Sequence, residues 1–282
     1  MRKKKSIIKD TIYIICLLFI TAFVIMPIVL AISNSLRYNY SDIFAHSSKL
    51  SVYTLIPERV NFQHYRELLV EQAFWKPMIN SLIVAVCTVA AGFLVNGLAG
   101  FAFAKYQFRG KNVLFTVFLL SFMIPFEVIA IPLYKTTDSM GLLNTRLALI
   151  LPMVGNGMIV FLYRQFFMEI PDSLIESAVI DGAGALKIFF RLLVPLSKPV
   201  IISASLMMFI QQWDAFLWPM VAASSKELKV VQVAISELYG ETFTDWTLIY
   251  AATVIAILIP VSFILPLQKY YIRGVAGTGV KE

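Results

Sequence analysis

The sequence contains few charged residues and very few cysteines and histidines. Of its 282 residues, 15% are charged and 59% are hydrophobic, and there are two cysteines and two histidines. A soluble domain averages about 25% charged residues, so this composition excludes a chain whose whole surface is solvated. Two isolated cysteines provide no disulfide framework, and no second Cys/His pair stands at metal-ligand spacing. We therefore predict no metal site and interpret His46 and His64 as ordinary surface residues.

The hydrophobic residues are collected in long segments that predict membrane spans. A helix that crosses the hydrocarbon core needs about 20 apolar residues, and ionised side chains are costly there. We therefore predict an all-α, polytopic membrane protein with a single transmembrane domain over residues 1–282. Six segments with at most one charge each predict its helices, at about 11–36, 77–104, 112–134, 147–163, 199–225 and 246–268. Two long loops connect them, at 37–76 and 164–198.

The distribution of Lys and Arg predicts the side of the membrane that each loop faces. Cytoplasmic loops carry an excess of these residues. The segments before residue 11, at 105–111, at 164–198 and after 268 hold 15 of the 24 basic residues, against 9 in the intervening loops. We therefore predict that both termini are cytoplasmic and that loop 37–76 is extracellular. Anionic lipid accounts for the net charge of +7, so no nucleic acid partner is needed.

The cytoplasmic loop 164–198 contains the signals of a short amphipathic helix. Ser173 followed by Glu176 is a capping-box pattern, and Gly182 can adopt the positive φ that ends a helix. So short a helix is not stable alone. Its apolar face therefore needs a partner, and this face is formed by Leu174, Ile175, Ala178 and Val179. From the pattern alone, that partner is this chain's own bundle, the lipid interface or a separate protein.

The residues of this loop resemble a known motif. The chain reads Glu176-Ser177-Ala178, then Asp181-Gly182-Ala183, then Val194-Pro195-Leu196. This resembles the EAA loop of permease subunits of binding-protein-dependent ABC importers, in the carbohydrate-uptake branch typified by the maltose permease. Residues 213–219 and the closing 274–281 are also similar, so that the resemblance covers essentially the whole chain. The departures are few, namely Ser177 where Ala is usual, Asp214 where Asn is common, and Glu282 where Gly is frequent.

The resemblance implies a fold, a set of partners and a role for the loop. The expected fold is that of a type I ABC importer permease in the plasma (inner) membrane of a prokaryote. The expected partners are a homologous permease, an ATPase dimer, an extracellular substrate-binding protein, membrane lipid and a sugar substrate. The loop helix would dock into a cleft of the ATPase through Glu176, Ser177, Ala178, Asp181, Gly182 and Ala183.

The sequence itself contains no signature of catalysis. The phosphate-binding pattern G-x-x-x-x-G-K-[ST] does not occur, although a chain that hydrolyses ATP would need such a loop to hold the phosphates. We therefore predict that the chain is not an enzyme, has no catalytic residue and binds no cofactor. The resemblance implies that ATP and magnesium bind to the partner ATPase.

Polar residues at membrane depth are candidates for the translocation pathway. The candidates are Asn80, Glu127, Asn156, Gln211 and Asp214. Pathway lining and a structural pair are equally good interpretations of Glu127, and aromatic neighbours at the membrane interface explain the setting of Asp214 slightly better than sugar binding does. An ion-coupled secondary transporter stays an alternative, since its coupling ion would bind a buried carboxylate. The identity of the solute does not follow from the sequence.

A stripe of small residues in the second predicted span favours close helix packing. Gly92, Asn96, Gly100 and Ala104 recur every four residues, and small residues let helix backbones approach each other in membranes. For Asn96 we predict a hydrogen bond between helices rather than a contact with substrate.

Overall fold

The structure is a computed structural model that describes residues 2–47, 52–240 and 244–276. Every regular element in these ranges is helical. The α-helices are Arg2–Ser35, Tyr40–Ser47, Val52–Leu55, Gln63–Arg66, Trp75–Lys105, Lys111–Phe122, Phe126–Ser139, Arg146–Val154, Gly157–Glu169, Asp172–Ile180, Ala185–Ile188, Val194–Leu196, Lys198–Trp213, Leu217–Ala222, Val231–Ser236 and Trp246–Ala276. Short π-helical turns at Glu67–Glu71 and Phe189–Leu193 and a 3₁₀ turn at Lys226–Leu228 complete the described elements. The all-α prediction is confirmed. Part of the closing segment 274–281 lies outside the described residues.

Three described helices contain stretches that are long and apolar enough to cross a membrane. These stretches are Lys9–Ser35, Trp75–Lys105 and Trp246–Lys269. Three more candidates are bent pairs, with bends of 100° between Lys111–Phe122 and Phe126–Ser139, 43° between Arg146–Val154 and Gly157–Glu169, and 90° between Ala185–Leu196 and Lys198–Trp213. A total of six spans requires each pair to make one crossing.

Prolines explain two of the places where the structure differs from the predicted continuous helices. Proline removes a backbone N–H and its ring clashes with the carbonyl four residues earlier. Pro125 therefore disrupts the helix near Ser121, and the predicted helix 112–134 is two helices that meet at the sharp bend. Pro219 acts in the same way on Ala215, so the predicted helix 199–225 ends at Trp213 and resumes at Leu217. The prediction 147–163 also corresponds to two helices, which flank Gly155 and Asn156.

The described residues form two compact units. The first comprises the chain up to Phe74 together with Ile235–Leu258. In this unit, the loop that follows the first helix is organised around Arg37, which is 2% exposed. The Arg37 guanidinium donates to Asn34 Oδ1 (2.9 Å) and to the carbonyl oxygens of Asp42 (3.2 Å), Tyr53 (2.6 Å) and Thr54 (3.1 Å). Burial lowers the pKa of Arg37, and the negative charge of Asp42 opposes that shift. This side chain joins the end of the first helix to the loop that follows it.

The surface interpretation of His64 is wrong. His64 is 8% exposed, and its Nε2 lies 3.2 Å from Thr247 Oγ1 and 3.3 Å from the Tyr38 carbonyl oxygen. Asp245 caps the helix that carries Thr247, since its carboxylate accepts from the backbone N–H groups of Thr247 (2.9 Å) and Leu248 (3.3 Å). His64 is thus buried within a polar network of the first unit. The side chain of His46 lies outside the described residues.

The second unit comprises Trp75–Ala234 and the chain from Ile259 onward. Its central helix is Trp75–Lys105, which packs against Arg146–Val154, Gly157–Glu169 and Lys198–Trp213. A Cβ atom built on Gly100 would lie 2.6 Å from Tyr163 Cβ and 3.2 Å from the backbone nitrogen of Arg164, whereas one on Gly92 would meet the end of the flexible Met208 side chain. The central helix therefore approaches Gly157–Glu169 at a distance that leaves no room for a side chain at Gly100, and the predicted small-residue packing face is confirmed.

Candidate coupling helix and membrane cavity

The helix Asp172–Ile180 occupies the centre of the loop that the sequence singled out. Pro171 stands at the position before its first turn, with φ −58°, and no side chain caps that end. The predicted capping box is therefore wrong: the helix begins at Asp172, two residues earlier than a cap at Ser173 would place it, so that Ser173 lies inside its first turn and Glu176 is too far along to reach back. The Ser177 hydroxyl donates to the Ser173 carbonyl oxygen at 2.8 Å.

Gly182 ends this helix in the way the sequence predicted. Its φ is +77°, a conformation that glycine adopts without steric cost. The backbone N–H of Gly182 donates to the Val179 carbonyl (3.0 Å), and that of Ala183 donates to the Ala178 carbonyl (2.9 Å). These two bonds form a Schellman motif, which satisfies carbonyl groups at the helix end.

The helix buries one apolar face and leaves another uncovered. Ile175 and Ala178 pack against the hydrophobic core of the second unit. Leu174, Val179 and Ile180 are 43%, 57% and 86% exposed. Glu176 is also exposed, and helical periodicity places it next to Val179 and Ile180. The exposed side of the helix therefore carries one carboxylate beside large apolar side chains.

Lys105 attaches the start of this helix to the central helix. It is the last residue of Trp75–Lys105, and its side chain is 7% exposed. Its Nζ donates to Asp172 Oδ1 at 2.6 Å and to the Ile170 carbonyl oxygen at 2.5 Å. Nearby, Arg164 Nε donates to the Phe103 carbonyl oxygen at 3.2 Å. Sequence reasoning counted Lys105 only as a cytoplasmic charge, since its partners lie 65 and 67 residues away.

The second unit contains a cavity of about 700 Å³. Of the five predicted pathway residues, Asn156 and Gln211 line it, whereas Asn80, Glu127 and Asp214 are not among its lining residues. Most of the lining is apolar or aromatic, and the polar lining side chains are Thr88, Ser121, Asn156, Gln211 and Gln212.

Asn96 stabilises the helix break beside this cavity. Asn96 is fully buried. Its Nδ2 donates to the Val154 carbonyl oxygen at 2.8 Å, and its Oδ1 accepts from the backbone N–H of Asn156 at 2.9 Å. A helix break at membrane depth is tolerated where other groups satisfy the freed backbone atoms. The predicted interhelical hydrogen bond of Asn96 is confirmed, and it explains how the chain can bend at Gly155.

The Asn156 side chain caps the helix that follows the break. Its Oδ1 accepts from the backbone N–H groups of Met158 (3.1 Å) and Ile159 (3.2 Å). Its Nδ2 donates to Gln211 Oε1 at 3.0 Å. The two predicted residues that line the cavity are therefore bonded to each other across two helices.

The other three candidates have different surroundings. The Asn80 Nδ2 donates to the carbonyl oxygens of Glu227 (2.5 Å) and Lys229 (3.3 Å), and its Oδ1 accepts from Arg146 Nη2 at 3.0 Å. Glu127 is exposed in the first turn of Phe126–Ser139. Asp214 is exposed directly after Trp213.

A family model for the binding-protein-dependent transport system inner membrane component matches residues 96–276. The chain belongs to this family. The match includes the loop helix, Gly182 and the cavity residues Asn156 and Gln211, and it confirms the resemblance inferred from the loop motifs. A protein of this family is a membrane component of a transport system, which agrees with the apolar helices described above.

This permease is also similar to individual members of the family and to solved structures. It is 31% identical over 226 residues to the arabinooligosaccharides transport system permease protein AraQ of Bacillus subtilis (strain 168), which covers 80% of each chain. It is 32% identical over 203 residues to the sn-glycerol-3-phosphate transport system permease protein UgpE of Salmonella typhi, covering 71% of this chain and 72% of that one. A chain of a bacterial ABC transporter involved in the import of the acidic polysaccharide alginate superposes with a TM-score of 0.79 at 22% identity, covering 95% of this chain and 97% of that chain. The predicted permease fold is confirmed.

Proposed function

We propose that this permease is one of two transmembrane subunits of an ATP-driven importer for sugars or sugar-related solutes. The observation that carries the proposal is the short helix Asp172–Ile180, which leaves Glu176 and a large apolar surface exposed in a protein of this family. The solute class is supported by relatives named for arabinooligosaccharides and for sn-glycerol 3-phosphate. A homologous permease would supply the other half of the pathway.

The exposed face of the helix is suited to a cleft on a partner ATPase. A groove that buries Val179 and Ile180 and offers a positive charge to Glu176 would complement it. Closure of an ATPase dimer around ATP and magnesium would then move the helix. Because Lys105 bonds both Ile170 and Asp172, the displacement would reach the central helix, whose tightly packed neighbours line the cavity. Such a rigid coupling is what a two-state transport cycle requires.

Docking of the loop helix on an ATPase would also fix which side of the membrane each part of the chain faces. The loop helix lies on the ATPase side, so both termini are cytoplasmic in this proposal. The count of Lys and Arg would place loop 37–76 outside, where an extracellular substrate-binding protein would dock. Solute would pass the cavity beside Asn156 and Gln211. Asn80 would hold the loop that contains Glu227 and Lys229 through its bonds to their carbonyl oxygens.

The test is coupled transport by the reconstituted complex. Glu176→Lys reverses the charge that the ATPase would meet, and Gly182→Val forces a β-branched residue into a positive φ. We expect solute uptake to fall at least tenfold in both variants, and ATP hydrolysis to lose its dependence on the binding protein. Glu169→Lys makes the same charge reversal at an exposed position of the same loop and should retain uptake. Full coupling in Glu176→Lys and Gly182→Val would refute the proposal.

The ion-coupled alternative makes an opposite prediction about two carboxylates. A secondary transporter would need Glu127 or Asp214 to bind its coupling ion. We expect Glu127→Gln and Asp214→Asn to retain ATP-dependent uptake in proteoliposomes without an ion gradient. Two results together would favour the alternative. The wild type would take up solute without ATP when a proton or sodium gradient is imposed, and either variant would lose uptake.

A further inference from the structure

Basic side chains collect at the end of the central helix. Three of them form the basic cluster, namely Arg109 and Lys111, which closely follow that helix, and Arg164 of Gly157–Glu169. A fourth basic residue, Lys105, is paired with Asp172. Residues 77–126 contain no Asp or Glu. In the described part of the chain, no member of the basic cluster forms an ion pair with a carboxylate.

Neutral groups fix two of these cations. The guanidinium of Arg164 lies 4.2 Å from the centre of the Phe115 ring. The Lys111 Nζ donates to the Tyr106 carbonyl oxygen at 2.9 Å and lies 3.5 Å from that of Ala104. Arg164 also acts on Lys111 as a nearby like charge. These contacts hold the side chains in place but leave their charges uncompensated, so that a bound anion would remove the repulsion between them.

The two arginines retain donors for such an anion. Arginine carries five N–H donors, and in the described residues Arg164 uses only Nε, towards the Phe103 carbonyl oxygen at 3.2 Å. Arg109 is exposed and has no hydrogen-bond or ion-pair partner in the same part of the chain. Because the planar guanidinium matches the oxygens of a phosphate, this group is suited to bind one.

An apolar surface begins next to these donors. The helix Lys111–Phe122 is part of a candidate membrane span. Its residues Val113, Leu114 and Val117 are 68%, 54% and 58% exposed. At about 1.5 Å per residue its 12 residues extend about 18 Å, close to the roughly 15 Å of hydrocarbon in one leaflet. Charge at one end and apolar surface along the length match the headgroup and the acyl chains of a phospholipid. A free phosphate ion would use only the charged end.

We propose that Arg109, Lys111 and Arg164 bind the phosphate of an anionic phospholipid, whose acyl chains lie along the exposed apolar side of Lys111–Phe122. Basic pockets between membrane helices on the cytoplasmic side are a recurring setting for such headgroups. The site does not depend on the proposed transport function, which serves only to assign it to the cytoplasmic leaflet. A bound lipid would connect the segment after the central helix to the helix that carries Arg164.

The test is native mass spectrometry of the purified full-length chain, delipidated in detergent and titrated with lipid. The titrants are dioleoylphosphatidylglycerol and dioleoylphosphatidylcholine, whose acyl chains are identical, so that a difference in Kd reports the charge of the headgroup. One basic residue near anionic lipid corresponds to about fivefold in affinity. We expect the first phosphatidylglycerol to bind at least about fivefold more tightly than phosphatidylcholine. Arg109→Gln and Arg164→Gln should each remove about fivefold of the phosphatidylglycerol affinity and leave the phosphatidylcholine affinity unchanged.

Arg191→Gln is the matched control, since Arg191 is exposed in the loop 164–198 and makes no bond to the basic cluster in the described part of the chain. Its Kd for phosphatidylglycerol should equal that of the wild type. Circular-dichroism melting shows whether each variant is folded. Arg109→Gln removes no described contact, so it decides the outcome alone if Arg164→Gln unfolds.

Four results would overturn the proposal. Equal affinity for the two lipids would mean that headgroup charge is not recognised, and an equal loss in Arg191→Gln would mean that the charge acts diffusely. Displacement of phosphatidylglycerol by inorganic phosphate would assign the cluster to a free anion, and displacement by added ATPase subunits would assign it to a protein contact. Because neither uptake nor ATP hydrolysis is measured, failure of the proposed function leaves this result unaffected.

Discussion

Replacement of Asn96 by leucine tests whether one buried amide holds the helix break beside the cavity. The substitution conserves size approximately but leaves the Val154 carbonyl and the Asn156 N–H without partners. Interhelical hydrogen bonds in membranes contribute about 0.6 kcal/mol on average, which would make two bonds worth little more than 1 kcal/mol. An unsatisfied buried polar group costs about 1–3 kcal/mol instead. Since Asn96 is fully buried, we expect the larger cost to apply to both groups.

We therefore expect Asn96→Leu to lower the free energy of unfolding by about 2–6 kcal/mol. The assay is reversible unfolding of the purified chain in mixed micelles, titrated with a denaturing detergent. Ser262→Ala serves as the control, because it removes an exposed hydroxyl that bonds only its own helix, at the Ile259 carbonyl, and should change stability by at most about 0.5 kcal/mol. A loss below about 1 kcal/mol for Asn96→Leu would refute the argument that the freed backbone groups depend on this side chain.

Two further predictions concern coupling and packing. Reversal of either charge in the Lys105–Asp172 pair should reduce binding-protein-stimulated ATP hydrolysis by the reconstituted complex. Exchange of the two residues should recover part of it, and an exchange no better than the single reversals would contradict a direct pair. Gly100→Ala should destabilise the chain by about 1–3 kcal/mol, because the new Cβ would lie 2.6 Å from Tyr163 Cβ. A Cβ atom added at Gly184 would have no other atom within 4 Å, so Gly184→Ala should not lower the midpoint of the same unfolding titration. Equal losses of stability in the two variants would argue against tight packing at Gly100.

The positions of the apolar helices could be predicted from the sequence because charge is excluded from hydrocarbon. The second predicted span, 77–104, agrees with Trp75–Lys105 within two residues at each end. The break at Gly155 and Asn156 could not be predicted from local sequence, since the groups that permit it belong to Asn96 on another helix. Proline explains the other breaks afterwards, but proline also occurs inside continuous helices here, for example Pro260.

The helix Asp172–Ile180 shows the same division between local and distant causes. Its end was predictable because a positive φ at Gly182 is a local property of glycine. Its start was not, since Pro171 and Ser173 are both acceptable residues immediately before a first turn, and the structure uses Pro171. Among the polar candidates, Asn156 and Gln211 line the cavity. Asn80 instead bonds the carbonyl groups of Glu227 and Lys229 and the side chain of Arg146, which local sequence could not predict because these partners are distant along the chain.

The measurement that tests the central claim most directly is photo-crosslinking from the exposed face of the helix Asp172–Ile180, which we propose docks on the ATPase. A photoreactive amino acid at Ile180, which is 86% exposed, is activated in native membranes that contain the whole transporter. Tyr13, 68% exposed on the first helix, serves as the control position. The account predicts a crosslink from position 180 to the ATPase subunit that changes in yield when ATP is added, and none to that subunit from position 13. A crosslink from position 180 to lipid alone would contradict it.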